Sequence, residues 1–223
     1  FDIPEPDKSQ TSPLPKGWGT YYYVKRVKTV ASGVPILDKA GKALGPVLSR
    51  KAFCLAGIEG TLAIDKPDGS IEVYNFEVSK GESQTSCDGL GIGLDAAKIA
   101  ALERMRWRKA RGPFGDGVGK NALVPYRSVA VDKAVIAIGT GLYFPDARGV
   151  KITLPDGSKA VHDGYFYAAD VGSAVKGRHI DVFIGVTEKN PFPFLTGKSA
   201  DKFAVRQVTD KAIVKKLRDL HVA

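Results

Sequence analysis

The chain has 223 residues, of which 43% are hydrophobic and 26% are charged. These proportions exclude disorder over most of the chain and are typical of a globular protein with a substantial core. The formal net charge of +9 favours an anionic partner such as nucleic acid, a membrane surface or an acidic polymer.

The beginning of the chain predicts little packed structure before the first strand. Residues 1–17 are rich in Pro, Ser and charge, so we expect an extended, poorly packed leader. They contain no apolar signal core, and any secretion signal is expected upstream. Residues 20–27 are predicted to form a strand, and residues 32–48 a loop with a short strand.

The middle of the chain predicts a hairpin followed by one helix. Residues 52–64 and 71–78 are apolar runs that flank a Lys-Pro-Asp-Gly-Ser turn signal. Residues 94–109 carry apolar side chains at helical spacing, with a basic cluster at the end. That cluster is either a solvated helix end or a contact for an anionic polymer. The Gly-rich residues 112–121 lack a phosphate-binding motif, which excludes a nucleotide site of that kind.

The second half of the chain predicts short strands, tight turns and a final helix. Strands are expected at residues 128–131, 141–144, 164–169 and 179–185, and the turns agree with a count of 25 Gly and 13 Pro. A basic amphipathic helix is expected over residues 209–221, where it would cover the core.

Cys54 and Cys87 are the two cysteines, and the sequence leaves open whether they are buried thiols or one disulfide. Two Cys and three scattered His show no metal-ligand spacing, so we expect no metal site and no cofactor. No apolar run approaches the roughly 20 residues of a membrane-spanning helix, and none is expected.

Asp181 is the first candidate for acid–base chemistry. In the predicted strand, Ile180 and Val182 should face the core, which places Asp181 on the opposite face with His179 and Phe183. Partial desolvation there would raise the pKa of the carboxyl, as a general acid needs. The alternative is a solvent-facing aspartate on a one-sided sheet.

Three further residues lie near strand ends. Asp170 ends the strand before a Gly-containing turn, and a hairpin-like return would bring it close to Asp181. Two close carboxyls do not ionise together easily. Asp132 closes another strand, and Lys176 lies in the turn, where it would hold a carboxylate. For these three residues, ordinary turn chemistry is the simpler interpretation.

The residues 125–185 resemble a known family. They contain PYRSVAVDKAVIAIGTGLYFP and then HDGYFYAADVGSAVKGRHIDVFIG. This order is similar to the signature of the three-aspartate (3D) domain and of the C-terminal part of murein lytic transglycosylase A. The chain departs from that signature at Ala137, where the family has Pro, and at Ser173, where it has the second Gly. If residue 173 needs a positive φ, Ser costs about 1 kcal/mol or more.

The resemblance implies a mainly β fold: a six-stranded double-psi β-barrel with an inserted α+β subdomain and a C-terminal helix. We expect a leader at 1–17, the barrel at 18–27 and 121–190, the insertion at 28–120 and an extension at 191–223.

The resemblance also implies cleavage of peptidoglycan glycan strands in the cell envelope or outside the cell. The last Asp of the signature falls on Asp181, the expected acid/base, with Asp170 and Asp132 in support. Residues expected to contact the sugar chain are Lys176, Thr140, Gly172, Ser173, Tyr167 and Phe183, and the rings of Tyr143 and Tyr165 are further candidates for a groove or for the core.

Two other functions remain open at this stage. One is a glycoside hydrolase that uses Asp181 as acid and Asp132 or Asp170 as base. The other is a wall-binding or wall-loosening module without turnover. Nucleic-acid binding rests on charge alone, without motif spacing, and is not expected. The sequence does not fix the oligomeric state, for which we expect a monomer.

Overall fold

The computed structural model describes residues 1–66 and 68–222. The chain divides into two compact units. Phe1–Tyr23 and Asp116–Ala223 make the first, called here the barrel unit, and Val24–Gly115 makes the second, the inserted unit. Within the described residues, no helix combines the length and the apolar character needed to cross a bilayer.

Strands outnumber helices in both units, which confirms the predicted mainly β class. The strands, in chain order, are β1 (Thr11–Tyr22), β2 (Lys25–Val27), β3 (Thr29–Leu37), β4 (Ala43–Leu48), β5 (Thr61–Asp65), β6 (Ile71–Ser79), β7 (Met105–Lys109), β8 (Ser128–Val131), β9 (Gly141–Tyr143), β10 (Lys151–Thr153), β11 (Lys159–Val161), β12 (Tyr165–Asp170), β13 (His179–Phe183) and β14 (Phe203–Val208). The helices are α1 (Arg50–Glu59), α2 (Ala96–Glu103) and α3 (Lys211–Leu220), with short 3-10 turns at Lys8–Gln10 and Pro145–Ala147.

Six strands of the barrel unit close into a ring in the order β1-β13-β8-β12-β9-β14. The pairs β1/β13 and β8/β12 are parallel, and the remaining pairs are antiparallel. Alternate apolar side chains fill the interior, among them Val129, Phe166 and Val182. The predicted six-stranded barrel is therefore confirmed.

A second apolar cluster of the barrel unit lies under α3. Asp210 caps this helix, because its carboxylate accepts hydrogen bonds from the amides of Ala212 and Ile213. Leu217 of α3 is buried in the same apolar cluster as Val208 of β14. The helix therefore covers the core, as predicted.

The inserted unit has a four-stranded sheet, β2-β5-β6-β7, and a two-stranded hairpin, β3/β4. Its core contains α1 side chains packed with Trp107, which is fully buried. Cys54 of α1 and Cys87 form a disulfide, which resolves the alternative left open above.

Two predictions in the inserted unit are wrong. The residues expected to open a strand at 52 form α1, which Ser49 caps at the start and left-handed Gly60 ends. The predicted helix over 94–109 stops at Glu103, and Met105–Lys109 is strand β7. Arg104 of the basic cluster caps the end of α2, whereas Arg106, Arg108 and Lys109 lie on β7. The predicted Lys-Pro-Asp-Gly-Ser turn includes Pro67, which lies outside the described residues.

Two boundaries of the barrel unit also differ from expectation. Strand β1 begins at Thr11, and Ile3 is only 4% exposed, so the first 17 residues are not a poorly packed leader. Strand β14 belongs to the barrel although the sequence assigned it to an extension. Strand β14 is short, so its sequence alone does not show a clear alternation of apolar and polar residues. Its place in the barrel depends on its pairing with β1 and β9.

Candidate active site

Asp181 lies on β13 with its side chain turned away from the barrel interior. Its neighbours Ile180 and Val182 are 1% and 0% exposed and pack in the interior, so strand alternation places Asp181 on the other face. The Asp181 side chain is half-buried. The alternation predicted from the sequence is therefore present.

Asp170 reaches the same side of the sheet, but not through a hairpin. Strand β8 lies between β12 and β13, and Ala130 of β8 is the register partner of both Asp170 and Asp181. Residues directly opposite one another have side chains on one face. An irregularity between Ala168 and Asp170 gives Asp170 this register. The small Ala130 side chain therefore separates two carboxyls in one row.

Strand β1 supplies a hydroxyl to each carboxyl. The Thr20 hydroxyl donates to Asp181 Oδ1 at 2.7 Å, and the Tyr22 hydroxyl donates to Asp170 Oδ2 at 2.9 Å. The backbone amide of Val171 also donates to Asp170, at 2.9 Å. Asp170 is thus held by two segments of the chain, and Asp181 is held by Thr20 of β1.

Burial raises the pKa of both carboxyls above the ordinary aspartate range. For Asp181, the Thr20 hydrogen bond and the His179 charge lower the pKa, without cancelling the effect of burial. For Asp170, the negative charge of Asp181 adds to the increase in pKa. Burial and the negative charges of Asp170 and Asp181 also raise the pKa of Tyr22, which therefore keeps the proton it donates.

Asp132 is placed in a turn rather than in the row of carboxyls. Its carboxylate accepts hydrogen bonds from the amides of Gly177 at 2.8 Å and Ala134 at 3.0 Å. These amides, and then the charge of Lys176, lower the pKa of Asp132. Asp132 therefore stays ionised and fastens the turn before β13, so it supports the site from outside it.

The other residues predicted to contact substrate are divided between surface and core. Lys176 and Ser173 are exposed, and Thr140 is half-buried. Ser173 does not have a positive φ, so the strain considered above is absent. A Cβ at Gly172 would lie 2.7 Å from Val175 Cγ2, so the tight turn requires glycine there.

The aromatic rings predicted to contact the sugar chain are buried in the structure. Tyr167 and Phe183 are 4% and 0% exposed. Tyr143, Tyr165 and Tyr167 belong to the cluster under α3. Phe183 packs against the Tyr22 ring, with 5.1 Å between centroids. Alternation and ring chemistry alone did not distinguish a groove from a core.

Sequence reasoning missed Trp18 and Thr20 near Asp181, and it gave no role to His179 on the same face. The Thr20 hydroxyl lies 2.7 Å from His179 Nε2, and the His179 ring stacks on Trp18 at 3.9 Å between centroids. Parallel pairing of β1 with β13 sets Trp18 opposite His179 and Thr20 opposite Asp181. The available signal was Thr20, a polar residue two positions after Trp18 and at the start of a predicted strand. Its role could be recognised only from the pairing of β1 with β13.

No group of three or more His, Cys, Asp or Glu side chains suited to a metal ion occurs among residues 1–66 and 68–222. The groups that lie together at the candidate site are two carboxyls with raised pKa, two hydroxyls and one imidazole.

The family model of the 3D domain matches residues 127–191, which include β8, β12 and β13. Residues 127–191 are therefore similar to the 3D domain. The match contains Asp132, Asp170 and Asp181, while β1 and β14 of the same barrel lie outside it. No curated protein sequence matches the chain.

Three solved structures share the fold of this chain. The membrane-bound lytic murein transglycosylase from Agrobacterium tumefaciens is 14% identical, with a TM-score of 0.55, and the match covers 95% of this chain and 79% of that one. E. coli MltA with bound chitohexaose is 19% identical, with a TM-score of 0.53 and coverages of 86% and 71%. MltA from Neisseria gonorrhoeae is 14% identical, with a TM-score of 0.53 and coverages of 86% and 72%.

Proposed function

We propose that the protein is a peptidoglycan lytic transglycosylase with Asp181 as its single general acid/base. The observation that carries this proposal is a half-buried carboxyl with a raised pKa, set beside Asp170 on the 3D-domain barrel. The fold neighbour from Agrobacterium tumefaciens, which is named as a membrane-bound lytic murein transglycosylase, supports the reaction class.

The chemistry follows from one carboxyl that changes protonation state within a turnover. Protonated Asp181 donates to the glycosidic oxygen between N-acetylmuramic acid and N-acetylglucosamine, and the bond to muramoyl C1 breaks. Positive charge develops at C1 and the ring oxygen. Ionised Asp181 then accepts the proton of the muramoyl C6 hydroxyl, whose oxygen bonds to C1. The product is a 1,6-anhydro end, and no water is consumed.

Asp170 has a supporting role in this mechanism. Its carboxyl is bound by Tyr22 and by the Val171 amide, and its charge and that of Asp181 disfavour each other. Repulsion between the two groups favours the protonated form of one of them near neutral pH. In the proposed mechanism, this proton is on Asp181 when the reaction starts.

The proposed location is the periplasm or the outside of the cell. The disulfide between Cys54 and Cys87 supports an oxidising compartment. The net charge of +9 favours a polymer whose stem peptides carry carboxylates, so we expect binding to weaken as salt increases.

Substitution of Asp181 tests the proposal directly. Asp181→Asn removes the acid but keeps the shape, and should reduce release of glycan fragments from purified peptidoglycan by about 10²–10⁴-fold. The matched control is Asp132→Asn, which loses charge in the turn and should reduce release much less. Mass spectrometry of the wild-type products should find 1,6-anhydro-muramic ends.

Other product patterns identify the competing functions. Reducing ends in place of anhydro ends would establish a hydrolase and overturn the transglycosylase proposal. Wall binding without fragment release by the wild-type protein would establish a non-catalytic module. Asp181→Asn should leave wall binding in a pull-down assay unchanged, which separates loss of chemistry from loss of binding.

A further inference from the structure

A line of hydrogen bonds leads away from Asp181 through β1 and back to β13. The Thr20 hydroxyl oxygen lies 2.7 Å from Asp181 Oδ1 and 2.7 Å from His179 Nε2. On the other side of the imidazole, His179 Nδ1 lies 3.4 Å from the Ala174 carbonyl oxygen. One hydroxyl therefore connects the carboxyl to a ring that has a polar partner for each nitrogen.

The His179 ring is held in one orientation. It is buried, and it lies nearly parallel to the Trp18 ring, with an angle of 5° between the planes. Trp18 and Thr20 are alternate residues of β1 and pair with His179 and Asp181. The same parallel register therefore fixes both the ring stack and the hydroxyl link.

The donors and acceptors of this line are satisfied in both protonation states of Asp181. When Asp181 is ionised, Thr20 donates to it and accepts from an N–H at His179 Nε2, while Nδ1–H points to Ala174. When Asp181 is protonated at Oδ1, it donates to Thr20, and Thr20 donates to a bare Nε2. Moving one proton across each of the two bonds converts one arrangement into the other without moving heavy atoms.

The charges that face Asp181 within the barrel unit give His179 a distinct role. Strand β1 contributes Tyr22, strand β12 contributes Asp170, and strand β8 contributes Ala130, which does not titrate. Of these residues and His179, only His179 is able to carry a positive charge. Burial disfavours an ionised Asp181, and Thr20 and His179 oppose this effect.

We propose that His179 is a positioning residue that acts through the Thr20 hydroxyl to stabilise the carboxylate form of Asp181. The importance of this role rests on the proposed function, because a single carboxyl that first gives a proton must then become a base. Burial prepares Asp181 for the first task, and the Thr20–His179 link prepares it for the second.

The test is a pH titration of the Asp181 carboxyl by ¹³C NMR on the full chain labelled at aspartate, with the signal assigned by its loss in Asp181→Asn. Thr20→Val and His179→Gln should each move the midpoint to higher pH, by about one pH unit. Thr20→Ser keeps the hydroxyl and should leave the midpoint in place. The double variant Thr20→Val/His179→Gln should move it no further than Thr20→Val alone.

The alkaline limb of the pH profile for glycan release should move in the same direction in the same variants, with a lower maximal rate. An unchanged midpoint in His179→Gln, or shifts that add in the double variant, would overturn the link through Thr20. Trp18→Phe is the control for the ring stack and should leave the midpoint in place.

The titration still gives a clear result if a variant does not fold or if the protein has no activity. If His179→Gln does not fold, Thr20→Val against Thr20→Ser still decides whether the hydroxyl stabilises the carboxylate, because His179 is untouched. If the wild-type protein releases no glycan, the proposed function fails, whereas the carboxyl titration still accepts or rejects the present inference.

Discussion

The two units stabilise their interiors by different chemistry. The barrel unit buries the ion pair Arg127–Asp163, in which the side chains are 3% and 5% exposed. The inserted unit instead has the disulfide between Cys54 and Cys87, with both residues buried. A buried ion pair acts in the native state, whereas a disulfide acts mainly by restricting the unfolded chain.

The ion pair of the barrel unit also anchors the beginning of the chain. Asp163 accepts a hydrogen bond from the Ile3 amide at 3.1 Å, and the Phe1 ring lies over the Arg127 guanidinium at 4.1 Å. Arg127 also donates to the Tyr165 carbonyl oxygen at 2.7 Å. The barrel unit therefore joins distant segments through polar contacts, and the comparison predicts that each unit fails in its own way.

The largest expected effect comes from breaking the ion pair. Arg127→Met leaves the Asp163 carboxylate buried without its partner and should lower the free energy of unfolding by about 3–5 kcal/mol. Urea denaturation followed by hydrogen-exchange mass spectrometry should assign the loss to barrel peptides. Lys215→Ala breaks an exposed pair with Asp219 and should cause no measurable loss. A similar loss in both variants would contradict this account of the barrel unit.

The second effect comes from removing the disulfide. Its cysteines are 33 residues apart, so Cys54→Ala/Cys87→Ala should destabilise the inserted unit by about 3–4 kcal/mol. In a Trp18→Phe background, Trp107 is the only tryptophan and reports on the inserted unit by fluorescence. Hydrogen exchange of barrel peptides should not change. Faster exchange in both units would show that they do not stabilise themselves separately.

The units also differ in how much the sequence revealed. In the barrel unit, β8, β12 and β13 were predicted because each combines β-branched or aromatic residues with a family signature. In the inserted unit, α1 was missed because a short apolar run has no clear period. The sequence did contain signals for this helix, because Ser49 caps its start and Gly60 ends it in a left-handed conformation. The apolar content of the segment nevertheless led to the prediction of a strand.

The candidate site was predictable only as far as single strands allow. Asp181 was identified because its face follows from alternation within β13. The hydroxyls of Thr20 and Tyr22 were not identified, because their contacts depend on a register between strands about 160 residues apart in sequence. Asp170 was expected near Asp181 for the wrong reason, since β8 rather than a hairpin turn determines their separation.

The smallest of the three effects is a pH dependence of the barrel unit. His221 is 1% exposed and bonded to the Leu217 carbonyl oxygen and to Ser128, and burial lowers its pKa to about 4. The unfolded chain, with an ordinary pKa near 6.5, binds more protons between these values, so stability should fall as pH decreases. For this residue alone the loss between pH 6.5 and 5 should be about 2 kcal/mol. Asp170 and Asp181, whose pKa values are raised, act in the opposite direction. Thermal unfolding of His221→Gln should therefore depend less steeply on pH than that of the wild-type protein, and an equal slope would show that His221 is not a group that senses acid.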